Sequence, residues 1–172
     1  MERRVKKLLQ KKMRLLVYGG LFTALVMLAT MFLKIPTLIG YANMGDGFAL
    51  ASAALLGPFA AIPAGLGSLL ADLLLGYGLY APATLVIKGA MGWMAGLWLK
   101  RGAGAFHPRN LLLFAGCELW MVAGYFGFEC VLYGPAAALG SLVPNLLQGV
   151  VGIALGLTIT PVLERLKGRM GL

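Results

Sequence analysis

Four ionisable side chains sit inside long apolar runs of this 172-residue chain: Asp72, Lys88, Glu118 and Glu129. Such a group in an apolar helix is costly and normally faces a partner or a wet cavity. The four do not make a catalytic set. The single histidine, His107, stands beside Pro108 in a basic stretch, so a Ser–His hydrolase lacks a histidine near Gly67-Ser68. No phosphate-cradling glycine–lysine loop exists, so ATP-driven work has to come from partner chains. Cys117 and Cys130 fall in one apolar run at a spacing of neither a zinc site nor a redox pair. They read as small buried hydrophobes. The chain is expected to be no enzyme and to carry no cofactor or metal. Binding is what these residue types can do.

Neighbours at helical spacing enlarge the set. At about 100° per residue, Glu118, Tyr125 and Glu129 lie within roughly 40° of one another on one helix. Thr84 and Lys88 are four apart, as are Ser68 and Asp72; Asn145 and Gln148 are three apart, just past Pro144. Gly149, Gly152 and Gly156 follow and allow close helix approach. Asn43 and Asp46 lie in a polar, glycine-bearing segment, and Tyr77 and Tyr80 in an aromatic turn. Tyr41, Tyr77 and Tyr80 suit an interfacial belt or a stacking platform for a flat ring. Taken alone, Lys88 can equally pair with Asp72 or a glutamate to hold helices together. Taken as a set, the acids outnumber the one buried base, which favours a ligand cavity.

The elements that must position these residues are membrane helices. Hydrophobic residues make up 60% of the chain and charged ones 12%, with mean hydropathy +0.86. A soluble domain keeps roughly a quarter of its residues charged. The spacing of apolar runs and breakers predicts six spans, near Met13–Leu33, Phe48–Leu56, Pro63–Leu75, Ala83–Leu99, Asn110–Leu132 and Ala137–Leu163. The second and third, divided by Gly57-Pro58, fall short of the roughly 20 residues a crossing needs, so tilt, re-entry or thinning is expected there. Residues 1–14 read as a basic cytoplasmic segment, 15–165 as the membrane domain and 166–172 as a cytoplasmic tail. The first apolar run exceeds the 7–15 residues of a signal peptide core and reads as a retained span.

The net charge of +9 invites a nucleic-acid reading, and its distribution argues against one. Thirteen of the fifteen Lys and Arg residues cluster at the N-terminus, in the segment Lys100–Arg109 or in the tail. With the N-terminus inside, six crossings bring all thirteen to the cytoplasmic side and leave Lys34 as the sole basic residue of the outer connections. The N-terminal cluster also suits anionic lipid headgroups. In this orientation Asp72, Lys88 and Glu129 occupy the outer half of the membrane, with Glu118 nearer the middle.

Several stretches resemble the substrate-binding S components of energy-coupling factor (ECF) vitamin transporters. They are Asn43-Met44-Gly45-Asp46, Ala54-Leu55-Leu56-Gly57-Pro58, the run from Gly65-Leu66-Gly67-Ser68 through Ala71-Asp72 to Gly76-Tyr77, and the run from Tyr80-Ala81-Pro82 through Thr84 to Ile87-Lys88-Gly89. The resemblance covers roughly residues 15–165 and is closest to the riboflavin-type branch, which includes pyridoxine and hydroxymethylpyrimidine carriers. It implies an all-α, six-helix membrane fold in a prokaryotic plasma membrane, with both termini cytoplasmic. It also implies capture of a vitamin by the outer loops and the outer halves of the last three helices, where Thr84, Lys88, Glu118, Tyr125, Glu129, Asn145 and Gln148 fall. The implied partners are a transmembrane T subunit and two ATPase subunits. Small residues of the first helix, here Gly20 and Ala24, would meet the T subunit; internal packing is the other use of Gly20-x-x-x-Ala24 and Gly19-x-x-x-Thr23.

Charge narrows the ligand. No arginine falls in the outer half, although Arg is the favoured clamp for carboxylate and phosphate. That disfavours folate, biotin, pantothenate and phosphorylated ligands. It favours a neutral or weakly basic heteroaromatic such as pyridoxine, hydroxymethylpyrimidine or thiamine, with riboflavin possible on the resemblance. The competing expectations are an accessory subunit that binds no solute and a self-sufficient oligomeric carrier.

Overall fold

The structure is a computed structural model that describes residues 2–37, 41–102 and 107–170. Ile39 and Gly40 of the polar segment, Gly104 of the basic segment and the last two residues of the tail lie outside the described residues. Six α-helices and one small hairpin make up the described fold: α1 (Glu2–Phe32), β1 (Lys34–Pro36), β2 (Tyr41–Asn43), α2 (Gly45–Leu56), α3 (Ala61–Leu74), α4 (Ala81–Trp98), α5 (Pro108–Tyr133) and α6 (Pro135–Met170). The strands pair antiparallel, with Ile35 opposite Ala42.

By length and composition, four stretches suit a membrane crossing: Arg4–Phe32, Gly45–Leu74, Pro108–Tyr133 and Pro135–Lys167. The second is not one straight rod. A 3-10 turn, Gly57–Ala60, separates α2 from α3, and Gly57 there has φ +59°, a conformation that suits glycine. Asp46 at the start of α2 and Asp72 near the end of α3 belong to one end of the bundle, whereas Gly57 lies beside Arg101 at the other. The unit therefore doubles back as a V. At 1.5 Å per residue its arms are about 18 and 21 Å long, both shorter than a roughly 30 Å hydrocarbon core.

Composition explains where α2 sits. Its sequence, GDGFALASAALL, is built of small side chains, and every residue except Phe48 is buried. It forms the centre of the bundle, packed mainly on α6 and also on α1 and α4. α3 packs on α4 and α1, and α5 on α6 and α4. Gly96 of α4 lies directly on the Gly57 main chain, so any larger residue there would push α4 off the apex of the V. The core runs through Val26, Leu50, Met91, Phe114 and Met121, all fully buried. Leu112, Val131, Val143 and Val150 point outward, as lipid-facing residues should.

Two local departures from the sequence reading matter for the site. Helix α2 begins at Gly45, three residues earlier than Phe48, so Gly45-Asp46-Gly47 is helical rather than loop. An Asx turn leads into the helix: Asn43 Oδ1 accepts from the Gly45 N–H at 2.9 Å, and from the Thr30 hydroxyl at 3.3 Å. Helix α1 also runs back through the basic segment to Glu2, so the described part of that segment continues the first apolar run.

Candidate functional site

One cavity lies at the end of the bundle formed by the hairpin, the turn Tyr77–Tyr80 and the adjoining helix ends. It has a floor and a rim. In the floor, Lys88 of α4, 1% exposed, places Nζ 2.5 Å from Asp46 Oδ1. Gln148 of α6 donates Nε2 to Asp46 Oδ2 at 2.6 Å. Its Oε1 accepts from the Asn43 main-chain N–H at 2.8 Å. The floor thus ties α2, α4, α6 and β2 together through groups that are all buried or nearly so, and each charge has an opposite charge or a dipole against it.

The rim carries the aromatic rings. Tyr41 and Tyr77 have centroids 5.0 Å apart, Tyr77 and Tyr80 6.3 Å, and Tyr80 and Phe128 5.4 Å. These tilted and edge-on contacts are favourable for aromatic pairs. Tyr41 donates its hydroxyl to Asp72 Oδ1 at 2.5 Å, while Asp72 Oδ2, though buried, has no hydrogen-bond partner of good geometry. On the far side Glu129 accepts from Ser141 and, at 3.3 Å, from Tyr80. Between them the Tyr125 hydroxyl donates to Thr84 Oγ1 at 3.0 Å, with Lys88 Nζ 5.5 Å from the Tyr125 ring centre. Burial, reinforced by the Asp72 carboxylate, pushes the Tyr41 phenol above its ordinary range. Burial does the same at Tyr80, helped by Tyr133 and Glu129. Both rings therefore stay neutral donors at physiological pH.

Of the residues singled out from sequence, Asn43, Asp72, Tyr77, Tyr80, Thr84, Lys88, Tyr125, Glu129, Asn145 and Gln148 line this cavity together. Asp46 lies just beneath as the partner of Lys88; the pairing expected with Asp72 or a glutamate is taken instead by this residue. Glu118 is not a lining residue. It is 3% exposed, packs against Gly149 and Gly152 beside the Asp46 carboxylate, and makes no hydrogen bond of good geometry through either carboxyl oxygen. Thr30, Thr37 and Ser141 line the cavity and were not singled out. Ser141 had a legible signal, because 141, 145 and 148 follow the i, i+4, i+7 face of α6. The cavity has a volume of about 40 Å³, room for little more than a few waters. Small-molecule pockets usually offer roughly 300–1,000 Å³.

Gly20 and Ala24 are placed elsewhere. Both are exposed on α1, whereas Gly19, one residue back, is buried against Phe59. Of the two small-residue pairs, Gly19 with Thr23 serves internal packing and Gly20 with Ala24 faces outward.

Together the buried apolar bundle, its outward aliphatic residues and the polar cavity at one end define a membrane-embedded binding protein. Residues 10–165 match the family described as ECF-type riboflavin transporter, S component, and the chain belongs to that family. It is 36% identical over 110 residues to the thiamine precursor transporter HmpT of Lactococcus lactis subsp. cremoris (strain MG1363), covering 62% of this chain and 58% of that protein. It is also 38% identical over 134 residues to an uncharacterized protein in the gap 3′ region of Pyrococcus woesei, covering 76% of this chain and 88% of the relative. The chain is accordingly a vitamin-transport subunit of the S-component type.

Proposed function

We propose that the chain is the substrate-capturing subunit of an ECF-type ABC importer, taking a small heteroaromatic vitamin or vitamin precursor from outside the cell. Hydroxymethylpyrimidine, pyridoxine and thiamine-like bases are the ligands the site suits. The carrying observation is that Asp72 and Glu129, from separate helices, border one tyrosine-walled cavity that no arginine among the described residues lines. Carboxylates accept from the amino and hydroxyl groups of such rings, and tyrosine faces stack on them. The name of the lactococcal relative points the same way. Riboflavin is the second reading, favoured by the description of the family. At about 40 Å³ the cavity needs the hairpin or the tyrosine rim to move before any of these rings fits.

In this reading all six helices cross or enter the plasma membrane of a prokaryote, with residues 1–14 and 166–172 in the cytoplasm. The basic residues Lys100, Arg101, Arg109, Arg165 and Lys167 sit at the end opposite the cavity, which supports a cavity open to the exterior. A transmembrane T subunit and two ATPase subunits supply the energy, and the exposed Gly20 and Ala24 form part of the surface that meets the T subunit.

Isothermal titration on the detergent-solubilised chain tests the ligand class. Hydroxymethylpyrimidine, pyridoxine, thiamine or riboflavin should bind, and folate, biotin and pantothenate should not. Tight binding of a dicarboxylate with none of the bases would overturn the reading. Gly20→Leu should leave that binding unchanged but abolish co-purification with the T subunit; unchanged assembly would place the contact elsewhere.

A further inference from the structure

The charges around the polar cavity do not balance. Asp72 of α3 and Glu129 of α5 both line it, and they are 4% and 3% exposed. Their partners are neutral: the Tyr41 hydroxyl for Asp72, and the Ser141 and Tyr80 hydroxyls for Glu129. The second oxygen of Asp72, with the Thr84 hydroxyl close by, makes no hydrogen bond of good geometry. Among the described residues that line the cavity, Lys88 is the one cation, and its ammonium is committed to Asp46. Glu118, buried beside Asp46, adds a further acid and no base. Lys34 of the hairpin sits over the Tyr41 ring and is not a lining residue. With Lys88 and Asp46 cancelling, Asp72 and Glu129 are left with no cation to answer them. Burying carboxylates without a counter-charge is expensive.

The rings of the same cavity point to what supplies the counter-charge. Lys88 Nζ lies 5.5 Å from the Tyr125 ring centre, and Lys34 Nζ 5.8 Å from that of Tyr41. Both tyrosines therefore already turn towards a cation the face on which their π-electrons concentrate. Tyr77 and Tyr80 continue the aromatic wall. Acids on two walls, with tyrosine faces beside them, make a site for a positively charged nitrogen.

We propose, on the heteroaromatic reading given above, that the ligand is bound as a cation, its charged ring held between Asp72 and Glu129. The charge is either permanent, as in a thiazolium, or gained when a basic ring nitrogen takes up a proton. This ranks thiamine-like bases and protonated aminopyrimidines above riboflavin, whose isoalloxazine has no basic nitrogen near neutral pH. It also makes the cavity selective, because a neutral ring of the same shape leaves both acids unanswered.

Two probes that differ in one methyl group and one charge test this on the detergent-solubilised full chain. They are 1-methylnicotinamide, a permanent cation, and nicotinamide, its neutral parent. Isothermal titration should find the cation bound about tenfold more tightly or better, as a charged partner for carboxylate and tyrosine implies. Equal affinities, a preference for nicotinamide, or no binding of either would overturn the proposal. Glu129→Gln should narrow the gap between the two probes, and Asp72→Asn gives the same readout if the first variant does not fold. A gap unchanged in both variants would also overturn it. Hydroxymethylpyrimidine, isotopically labelled at its ring nitrogens, then separates this proposal from the reading it rests on. Bound at a pH where the free base is neutral, its ring should give the nuclear magnetic resonance shift of the protonated form. A bound but unprotonated ring sinks the proposal and leaves the heteroaromatic reading standing. If no vitamin binds while the simple cation is still preferred, that reading fails and the charge preference survives.

Discussion

The floor and the rim of the cavity use the same residue types to opposite ends. In the floor, Asp46 has both oxygens engaged, one by Lys88 and one by Gln148. In the rim, Asp72 has one oxygen engaged by Tyr41, while the other, with the Thr84 hydroxyl close by, makes no hydrogen bond of good geometry. A carboxylate whose partners come from the protein fastens helices together. One that keeps an unused lone pair has something left to offer a ligand. The contrast divides the carboxylates around the cavity into one that holds the fold and one available for recognition.

Substitutions can break or sharpen that division. The largest effect is expected at Lys88→Met, which strands Asp46 as a buried, unpaired charge at a cost of about 3–5 kcal/mol. Thermal unfolding in detergent should show a large loss of stability, partly recovered when Asp46→Leu is added; a stable single variant would move Lys88 from floor to rim. Next is Asp72→Asn, which should leave the melting temperature within a few degrees yet weaken the bound vitamin roughly tenfold or more, since a hydrogen bond to a charged acceptor is worth about 1.5–3 kcal/mol. Tyr41→Phe removes only a donor to Asp72. Ligand affinity should drop by a factor of about five, corresponding to about 1 kcal/mol. The smallest effect is spectroscopic. Tyr41 and Tyr80 are held above the ordinary phenol range, so their stabilising protonated forms are complete below about pH 10 and are lost as pH rises towards their folded values. An ultraviolet titration should find Tyr41 and Tyr80 still protonated at pH 11, and both should ionise on unfolding. If all six tyrosines titrate together, the rim is wetter than the structure implies.

Much of this arrangement was legible in the sequence, for reasons that can be assigned residue by residue. Thr84 with Lys88, and Ser68 with Asp72, share helix faces because side chains four apart always do. Their convergence followed from sidedness: the basic clusters fixed which helix ends lie together. The partner of Lys88 was not legible. Gly45-Asp46-Gly47 reads as part of a polar, glycine-bearing connection, and the Asx turn of Asn43, held by Thr30, that leads it into the helix depends on a tertiary hydrogen bond. Glu118 shares a face with Tyr125 and Glu129, yet it stands two to three turns away from them along α5, deep enough to miss the cavity and meet Gly152. Angular periodicity reports direction and is silent on depth. Thr30 and Thr37 carry no charge to mark them, and nothing local distinguishes them from other hydroxyls in apolar runs.

The short V of α2 and α3 has a mechanical consequence. Only its α3 arm faces outward, through Ile62, Leu66, Leu70 and Leu73, and that arm is about 21 Å long. With each arm crossing the bilayer, as proposed above, lipid tails along this side meet a hydrophobic flank roughly 9 Å shorter than the hydrocarbon core. The surrounding leaflet has to dimple there, or the whole subunit has to lean until the flank is long enough. Either response stores elastic energy in the membrane rather than in the protein, and lengthening the tails raises it.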